Sequence, residues 1–331
     1  MSEAGGSGAP VSGQAAVLES VRRWLAKGER AWLCTIVQTW GSSPRPVGSW
    51  LAVSETGLWS GSVSGGCLEE DLLRRTAAEG PVESILIDYG ITDGDRDRFQ
   101  LPCGGRIRLL VEPLSSSDSL HHVESLAGAL AERQPVSRQV VVGGEKHLVR
   151  ANEQSRNRVS FDGQTMVHTL QPECRLLLIG AGEVARHVAE FAAAAEFTVT
   201  LCEPRDTFAD GWQYPHIPLS RRLPDDLIAE AYGDHWCGIL ALAHDPRIDD
   251  MGLLAALQSP AFYIGAMGSR KTSEARRARL ADLGLDESAL SRLRAPIGVN
   301  IPSKTPAEIA ISIVADVIAA RHDLRVAQPS L

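Results

Sequence analysis

The segment RLLLIGAGEVARHVA, residues 175–189, constrains the fold of this chain more than any other stretch. Its apolar run predicts a buried strand, and the apolar residues after the glycines recur at helical spacing. Gly180, Gly182 and Ala185 form a G-x-G-x-x-A pattern between these two elements. Small residues there permit a tight turn, close approach of the backbone to a pyrophosphate, and packing of the helix on the strand. The segment therefore predicts a strand, a phosphate-binding turn and a helix.

The residues that follow extend this unit into a sheet. Apolar strands alternate with helical segments from Cys174 onward, and this alternation is typical of a doubly wound parallel sheet of the Rossmann type. Glu203 ends the next strand, where an acid can accept hydrogen bonds from a ribose hydroxyl. The alternative is a Rossmann-like domain that keeps its glycines for packing and binds no dinucleotide.

The first part of the chain predicts a different architecture. A helix over 15–27 precedes extended segments, a second helix from Cys67 to Ala78, and strands over 82–88 and 106–112. We therefore expect an α/β protein in which an N-terminal α+β domain is followed by a C-terminal Rossmann-like doubly wound parallel sheet. The expected divisions are a disordered tail, the α+β domain, a linker with a small antiparallel β segment, and the Rossmann-like domain, at 1–14, 15–115, 116–172 and 173–325.

The composition disfavours a nucleic-acid-binding protein and a membrane protein. The chain has 33 basic and 41 acidic side chains and a net charge of −8, which disfavours a sequence-independent nucleic-acid binder. Its apolar runs are shorter than the roughly 18 residues that cross a bilayer, and residues 1–14 lack the features of a signal peptide. We expect a cytoplasmic protein that binds neither nucleic acid nor a membrane.

The cysteines favour neither a zinc ribbon nor a disulfide scaffold. The sequence has 6 of them, widely scattered and without a C-x-x-C pair, so reduced thiols are expected. Four lie in or beside apolar strands and are expected in the core: Cys34, Cys174, Cys202 and Cys237.

The other two cysteines are candidate ligands. Cys67 opens a predicted helix, where the positive end of the dipole favours a thiolate or a soft metal, although acidic residues at 69–71 oppose this effect. Cys103 lies in a turn of proline and glycine. Glycines beside both cysteines allow a ligand to approach closely: Gly65, Gly66 and Gly104. The alternative is that each cysteine is a small buried hydrophobe.

A second glycine-containing turn, YIGAMGSRKT, leads into another helix at 263–272. Ser269 is its expected N-cap. Arg270 and Lys271 follow in the first turn, where the helix dipole disfavours positive charge, so a bound anion is one interpretation. The alternative is a solvated basic face that continues through Arg276, Arg277 and Arg279.

Two further segments contain residues with a predicted structural or functional role. His244 and Asp245 follow a predicted strand, at the edge where open α/β sheets bind ligands, although a turn started by Asp-Pro is the alternative. Thr305, Pro306 and Glu308 match the N-cap, N1 and N3 positions of a capping box, which predicts a long buried helix without a chemical role.

Taken together, the segments resemble the XdhC/CoxI family, in family order, from about residue 15 to 321. The segments that carry the resemblance are GSSPRPVGSWLAVSETGLWSGSVSGGCLEEDLL, LPCGG, LLLIGAGEVA, AHDPRID, YIGAMGSRKT and PIGVNIPSKTPAEIAISIVADVIA. The family pattern places cysteines at Cys67 and Cys103 and glycines at Gly180 and Gly182. Ala243 departs from the commoner Thr-His-Asp triplet, so a hydroxyl contribution is not expected there.

The resemblance implies an accessory protein rather than a metabolic enzyme. Family members mature molybdenum hydroxylases such as xanthine or aldehyde dehydrogenase: they bind the molybdenum cofactor, hold it while a cysteine desulfurase installs a sulfido ligand, and deliver it to the apo-hydroxylase. The resemblance implies Cys67 and Cys103 near the metal, and a phosphate of molybdopterin or its cytosine dinucleotide form at the Gly180–Gly182 turn, assisted by Arg270 and Lys271. A homodimer is the commonest expectation for such a chain.

Two other functions stay open from the sequence. An NAD(P)-dependent oxidoreductase would use the glycine turn and Glu203, with His244 as the acid or base. A scaffold would bind the desulfurase and the hydroxylase without binding the cofactor itself.

Overall fold

The structure is a computed structural model, and it describes residues 13–41, 43, 45–90, 105–144, 146–150 and 159–326. The chain divides into two compact units, with the boundary between Pro172 and Glu173. Each unit has its own sheets and its own core.

The first unit combines helices with antiparallel strands. Its described elements, in chain order, are α1 (Gln14–Ala26), β1 (Ala31–Trp40), β2 (Trp50–Ser54), β3 (Trp59–Gly61), α2 (Cys67–Glu79), β4 (Ile85–Tyr89), β5 (Arg106–Leu114), α3 (Ser117–Ala131), β6 (Val136–Val141), β7 (Lys146–Arg150), β8 (Val159–Phe161) and β9 (Thr165–Leu170). They form a five-stranded sheet in the order β3-β2-β1-β5-β4 and a four-stranded sheet in the order β7-β6-β9-β8. The predicted helices and strands of this region are confirmed.

One core in this unit joins segments that lie far apart in the sequence. Val17 and Trp24 of α1 pack with Val123 of α3 and with Leu170 of β9. The helix and strands of 116–172 therefore share buried surface with the elements before them.

The second unit alternates strands and helices. Its elements are β10 (Arg175–Ile179), α4 (Glu183–Ala194), β11 (Thr198–Cys202), α5 (Asp206–Ala209), β12 (Leu219–Ser220), α6 (Pro224–Ala231), β13 (Cys237–Ala241), α7 (Pro246–Gln258), β14 (Tyr263–Ala266), α8 (Arg270–Asp282), α9 (Glu287–Ser291), β15 (Leu293–Arg294) and α10 (Pro306–Val326). The strands form one six-stranded sheet in the order β12-β11-β10-β13-β14-β15. Each of its pairings is parallel, which confirms the predicted doubly wound fold.

The central strands explain the apolar runs in the sequence. Along β10, Leu176 and Leu178 pack with α4 and α10 on one face of the sheet, while Leu177 and Ile179 pack with α6 and α7 on the other. Both faces are covered by helices, so consecutive residues of a strand are all buried.

The strand order places the candidate loops at one edge. β10 pairs in parallel with both β11 and β13, with Ile179 level with Cys202 and Ala241. The chain leaves β10 toward β11 and later returns to β13 on the other side, so the loops after β10 and β13 meet where the strand order reverses. The loop after β14 follows at the same carboxyl edge.

Several smaller predictions are also confirmed. The four cysteines expected in the core are buried. At the start of α10, Thr305 Oγ1 accepts from the Glu308 amide at 3.3 Å, and the Glu308 carboxylate accepts from the Thr305 amide at 3.0 Å. Among the described residues, we find no helix with the length and apolar character needed to span a membrane.

Candidate functional site

The glycine turn after β10 has the geometry that its sequence predicts. Gly180 has a φ of 102°, and a Cβ on it would lie 2.4 Å from the Ala243 Cα. Gly182 is the N-cap of α4, is exposed, and has open space where a Cβ would be. Because glycine brings no capping side chain, the first amides of α4 stay available to an anion. Ala185 is fully buried where α4 packs on the sheet.

Glu203, the expected ribose-binding acid, is already engaged by the protein. Its side chain is completely buried. Oε1 accepts from the Arg205 amide at 3.0 Å and from Arg205 Nε at 2.8 Å. Oε2 accepts from Arg205 Nη2 at 2.7 Å and from the Ala181 amide at 3.1 Å. A carboxylate has about four acceptor positions, so none remains for a ribose diol.

This pairing also links two loops. Burial acts to raise the pKa of Glu203, but the hydrogen bonds from Arg205 and Ala181 outweigh it and hold the pKa below its usual value. Arg205 Nη1 lies 3.6 Å from the Asp245 carboxylate. The end of β11 is thereby joined electrostatically to the loop after β13.

The loop after β13 presents an exposed histidine. His244 has a φ of 55°, a left-handed conformation that few residues other than glycine adopt. Asp245 caps α7 by accepting from the Arg247 amide at 3.1 Å, as its place before a proline suggests. An outlier of this kind at a sheet edge is a reason to suspect a functional role.

The loop after β14 supplies two cations. Ser269 Oγ accepts from the Thr272 amide at 3.1 Å, which confirms the predicted N-cap of α8. Arg270 and Lys271 are exposed, and we find no ion pair or hydrogen bond to either side chain within the described parts of the chain. Among the described residues, nothing compensates their charge at the positive end of the helix dipole.

The alternative interpretation of α8 as a continuous solvated basic face is wrong at Arg276. Its side chain is 3% exposed and pairs with Asp249 and Asp250 at 3.2 Å each. Arg277 also faces the protein, donating to the carbonyls of Leu290 and Leu293 at 2.5 and 2.6 Å. Sequence reasoning missed these acids, because nothing in α7 alone indicates that an arginine of α8 will reach them.

In the first unit, Glu69 fills the loop before Cys67. Its Oε1 accepts from Ser62 Oγ and from the Val63 and Ser64 amides at 2.8 Å each, and from the Gly65 amide at 3.0 Å. Its Oε2 accepts from Ser64 Oγ and, at 2.8 Å, from the Gly66 amide. Such a ring of amides is an anion-binding nest, and here the anion is a side chain of the protein itself.

This arrangement changes the role of the two glycines. Burial acts to raise the pKa of Glu69, but the hydrogen bonds outweigh it and lower the pKa to about 2. Gly65 and Gly66 have φ values of 89° and 154°. Their amides hold Glu69 and thereby shape the turn that starts α2. The G-x-x-E spacing of a capping box was the signal in the sequence.

The predicted metal ligands lie largely outside the described residues. α2 begins at Cys67, as predicted, but only its backbone is described. Cys103 and Gly104 fall in the range that the structure does not describe. Within the described ranges, we find no group of three or more His, Cys, Asp or Glu side chains arranged to hold a metal ion.

Comparison with known proteins places these features in a family. The model of the XdhC Rossmann domain matches residues 176–317, and that of the XdhC and CoxI family matches residues 24–89. The two models thus match both units of the chain.

Similar proteins extend over nearly the whole chain. The molybdenum cofactor insertion chaperone PaoD of Escherichia coli (strain K12) is 29% identical over 298 residues, 90% of this chain and 85% of that protein. A probable xanthine dehydrogenase subunit of Bacillus subtilis (strain 168) is 26% identical over 327 residues, 91% of this chain and 96% of that protein.

A solved structure supports the fold independently. A crystal structure of a xanthine dehydrogenase from Bacillus halodurans superposes with a TM-score of 0.71 at 22% identity, covering 92% of this chain and 96% of that one. The two models match in order, one in each unit, and the second unit has the Rossmann sheet and the glycine turn that its sequence predicts. The chain therefore belongs to the XdhC and CoxI family.

Proposed function

We propose that this chain carries the molybdenum cofactor as cargo and inserts it into an apo molybdenum hydroxylase of the xanthine or aldehyde dehydrogenase type. The similarity to a molybdenum cofactor insertion chaperone over 90% of the chain supports the class of function. The structural observation that carries the proposal is the glycine turn. It keeps open amides for a phosphate, while the acid that would bind a dinucleotide ribose is saturated by Arg205.

The phosphate end of the cargo is assigned to the second unit. A helix N-terminus with open amides binds phosphate, so the Gly180–Gly182 turn receives the phosphate of molybdopterin or the pyrophosphate of its cytosine dinucleotide. Arg270 and Lys271 provide counter-charge at the same edge of the sheet, beside Ser269. His244 and Asp245 offer polar contacts from the loop after β13. Glu203 acts indirectly, by orienting Arg205.

The metal end is assigned to the two cysteines of the first unit. Soft thiolates suit a sulfur-ligated molybdenum centre, and Cys67 is the first residue of α2. Glu69 fixes the turn in front of it, with Gly65 and Gly66 as its partners. Cys103 and Gly104 lie outside the described residues, and we assign them to the same end on the family resemblance alone.

The same proposal includes the order of events and the partners. The cofactor is held while a cysteine desulfurase installs its terminal sulfido ligand, and the chain then transfers it to the hydroxylase. The handover takes place in the cytoplasm, where thiols stay reduced, and the carrier acts as a homodimer without enzymatic turnover of its own.

Anaerobic purification from cells that synthesise the cofactor tests the proposal. Molybdenum is quantified in the purified chain, and the bound pterin is oxidised and identified. Equal amounts of molybdenum and pterin support a carrier, and the pterin distinguishes molybdopterin from the dinucleotide form. Bound NAD in their place, with turnover in the absence of a partner, would support an oxidoreductase instead. A chain that docks both partners but holds neither metal nor pterin would be a scaffold.

A further inference from the structure

One buried arginine of the second unit binds two acids of α7 and a carbonyl of the loop after β14. Arg276 of α8 donates from Nη2 to Asp249 at 3.2 Å, from Nε to Asp250 at 3.2 Å, and from Nη1 to the Met267 carbonyl at 3.0 Å. Its side chain is 3% exposed, and that of Asp249 is 1% exposed. Burying charges carries a large desolvation cost, and apolar residues of similar volume often stabilise a core equally well. A role beyond stability is therefore worth seeking.

The first branch of this network holds the loop after β13. Asp249 Oδ1 accepts from the Ala243 amide at 3.1 Å. Ala243 is the residue against which Gly180 packs, since a Cβ on Gly180 would lie 2.4 Å from its Cα. Ala243 also directly precedes His244, which is held in a left-handed conformation. Asp249 thus fixes the backbone between the glycine turn and the exposed histidine.

The second branch holds the loop after β14. The Met267 carbonyl that Arg276 binds lies two residues before Ser269, the N-cap of α8. Gly268, between them, has a φ of 154°. The position of Met267 therefore determines where α8 starts and where Arg270 and Lys271 project.

We propose that Arg276 and Asp249 are positioning residues that hold the His244 loop and the Ser269 loop at a fixed spacing on the carboxyl edge of the sheet. Neither contacts the ligand in this scheme. A planar guanidinium carries its donors on three separate nitrogens held in a fixed plane, whereas the three donors of a lysine share one nitrogen. That the ligand held by these loops is the molybdenum cofactor rests on the proposed function, but the positioning itself does not.

Hydrogen exchange of the full-length chain tests the positioning without any ligand. The variants are Arg276→Lys, which keeps the charge but loses the planar guanidinium, and Asp249→Ala, which removes both acceptor oxygens. The matched control is Arg279→Gln. Arg279 pairs with the same Asp250, at 2.7 Å, and binds neither loop.

The expected result is local. Exchange at residues 242–245 rises at least tenfold in both variants, and exchange at 267–269 rises at least tenfold in Arg276→Lys, while strand β13 remains protected. The control stays within twofold of the wild type. If Arg276→Lys does not fold, Asp249→Ala decides, because it removes the acceptor of the Ala243 amide directly. Unchanged exchange in both loops of a folded variant would overturn the proposal. An equal rise of exchange in β13 and in the loops would also overturn it, because it would indicate a general structural role.

A binding experiment separates this proposal from the function. Isolated molybdenum cofactor is titrated anaerobically into each folded variant. We expect at least tenfold weaker binding to Arg276→Lys and unchanged binding to Arg279→Gln. If the wild type binds no cofactor, the proposed function fails while the exchange experiment still tests the positioning. If the cofactor binds equally to all variants, positioning for this ligand is refuted.

Discussion

Individual residues of this chain have roles that their immediate neighbours in the sequence do not reveal. Glu203 looks like a ribose ligand in the sequence, yet four hydrogen bonds from Arg205 and Ala181 occupy its carboxylate. Glu69 is one of three acids that follow Cys67 in the sequence, and in the structure it is the anion that the glycine turn binds. In both cases the residue type was informative, but its partner is set by backbone geometry that a single sequence does not contain.

Substituting the first glycine of the Rossmann turn tests that geometry. Gly180→Ala combines a left-handed φ with a Cβ placed 2.4 Å from backbone atoms of Ala243, so we expect a loss of about 2–4 kcal/mol of unfolding free energy. Gly182→Ala is the control, because open space surrounds that position, and its loss should stay below about 1 kcal/mol. Urea unfolding measures both, and equal losses would contradict the account.

The Glu69 nest predicts a particular dependence of stability on pH. The pKa of Glu69 is lowered from its ordinary value of 4.5 to about 2 in the folded state. Its carboxylate therefore stabilises the fold fully above the unfolded pKa, and that contribution disappears as the pH falls from 4.5 through 2. We expect Glu69→Gln to lose about 2–3 kcal/mol at neutral pH and to approach the wild type in acid.

A neighbouring residue provides the control for this measurement. Glu70 is exposed and lies next to Glu69 in the same helix. Glu70→Gln should leave the curve of unfolding free energy against pH within about 0.5 kcal/mol of the wild type. A difference between Glu69→Gln and the wild type that stays constant down to pH 2 would show that the nest does not favour the charged carboxylate.

At the scale of elements, hydrophobic periodicity predicted α1 and the four longer strands of the parallel sheet, because each buries an apolar face or run. It did not predict the two-residue strands β12 and β15, and it was a poor guide to α8. The start of α10 was predicted from its capping box. In α8 the buried positions Ser273, Arg276 and Leu280 follow helical spacing, but two of the three are polar. A scale based on apolar residues therefore assigns this helix to solvent. Its ion partners lie on α7 and are identified only by the tertiary structure.

The start of α8 gives a prediction for this element. Ser269→Ala removes the side chain that accepts from the Thr272 amide at 3.1 Å, so we expect a loss of about 1 kcal/mol. Glu274→Ala, an exposed change in the same helix, should alter the unfolding free energy by less than about 0.5 kcal/mol. Thermal unfolding of the two variants checks this, and similar midpoints would argue against the cap.

At the scale of the whole molecule, the order of segments predicted the architecture and the family correctly. The strand–turn–helix unit and the alternation after it were enough for the Rossmann sheet. The segments of both units, read in order, identified the XdhC and CoxI family. The contacts of 116–172 with α1 were not predictable in this way, since they depend on the packing of helices that lie about a hundred residues apart.

The assignment of Cys67 to the metal end gives a prediction for the intact chain. Cys67→Ala should lower the molybdenum content of the anaerobically purified protein at least tenfold, because a thiolate ligand is lost. Cys34→Ala, which removes a thiol buried in the core of the same unit, should retain the content of the wild type. Full cofactor binding and full hydroxylase activation by Cys67→Ala would remove Cys67 from the mechanism.

Transfer of cargo is the most direct measurement of the central claim. The loaded chain is mixed anaerobically with an apo molybdenum hydroxylase, the two proteins are separated, and molybdenum and pterin are quantified in each. We predict that both components leave the chain together, appear in the hydroxylase in equal amounts, and restore its activity. If the chain holds no cofactor when made in cofactor-rich cells, and the hydroxylase matures equally well without it, the carrier function is contradicted.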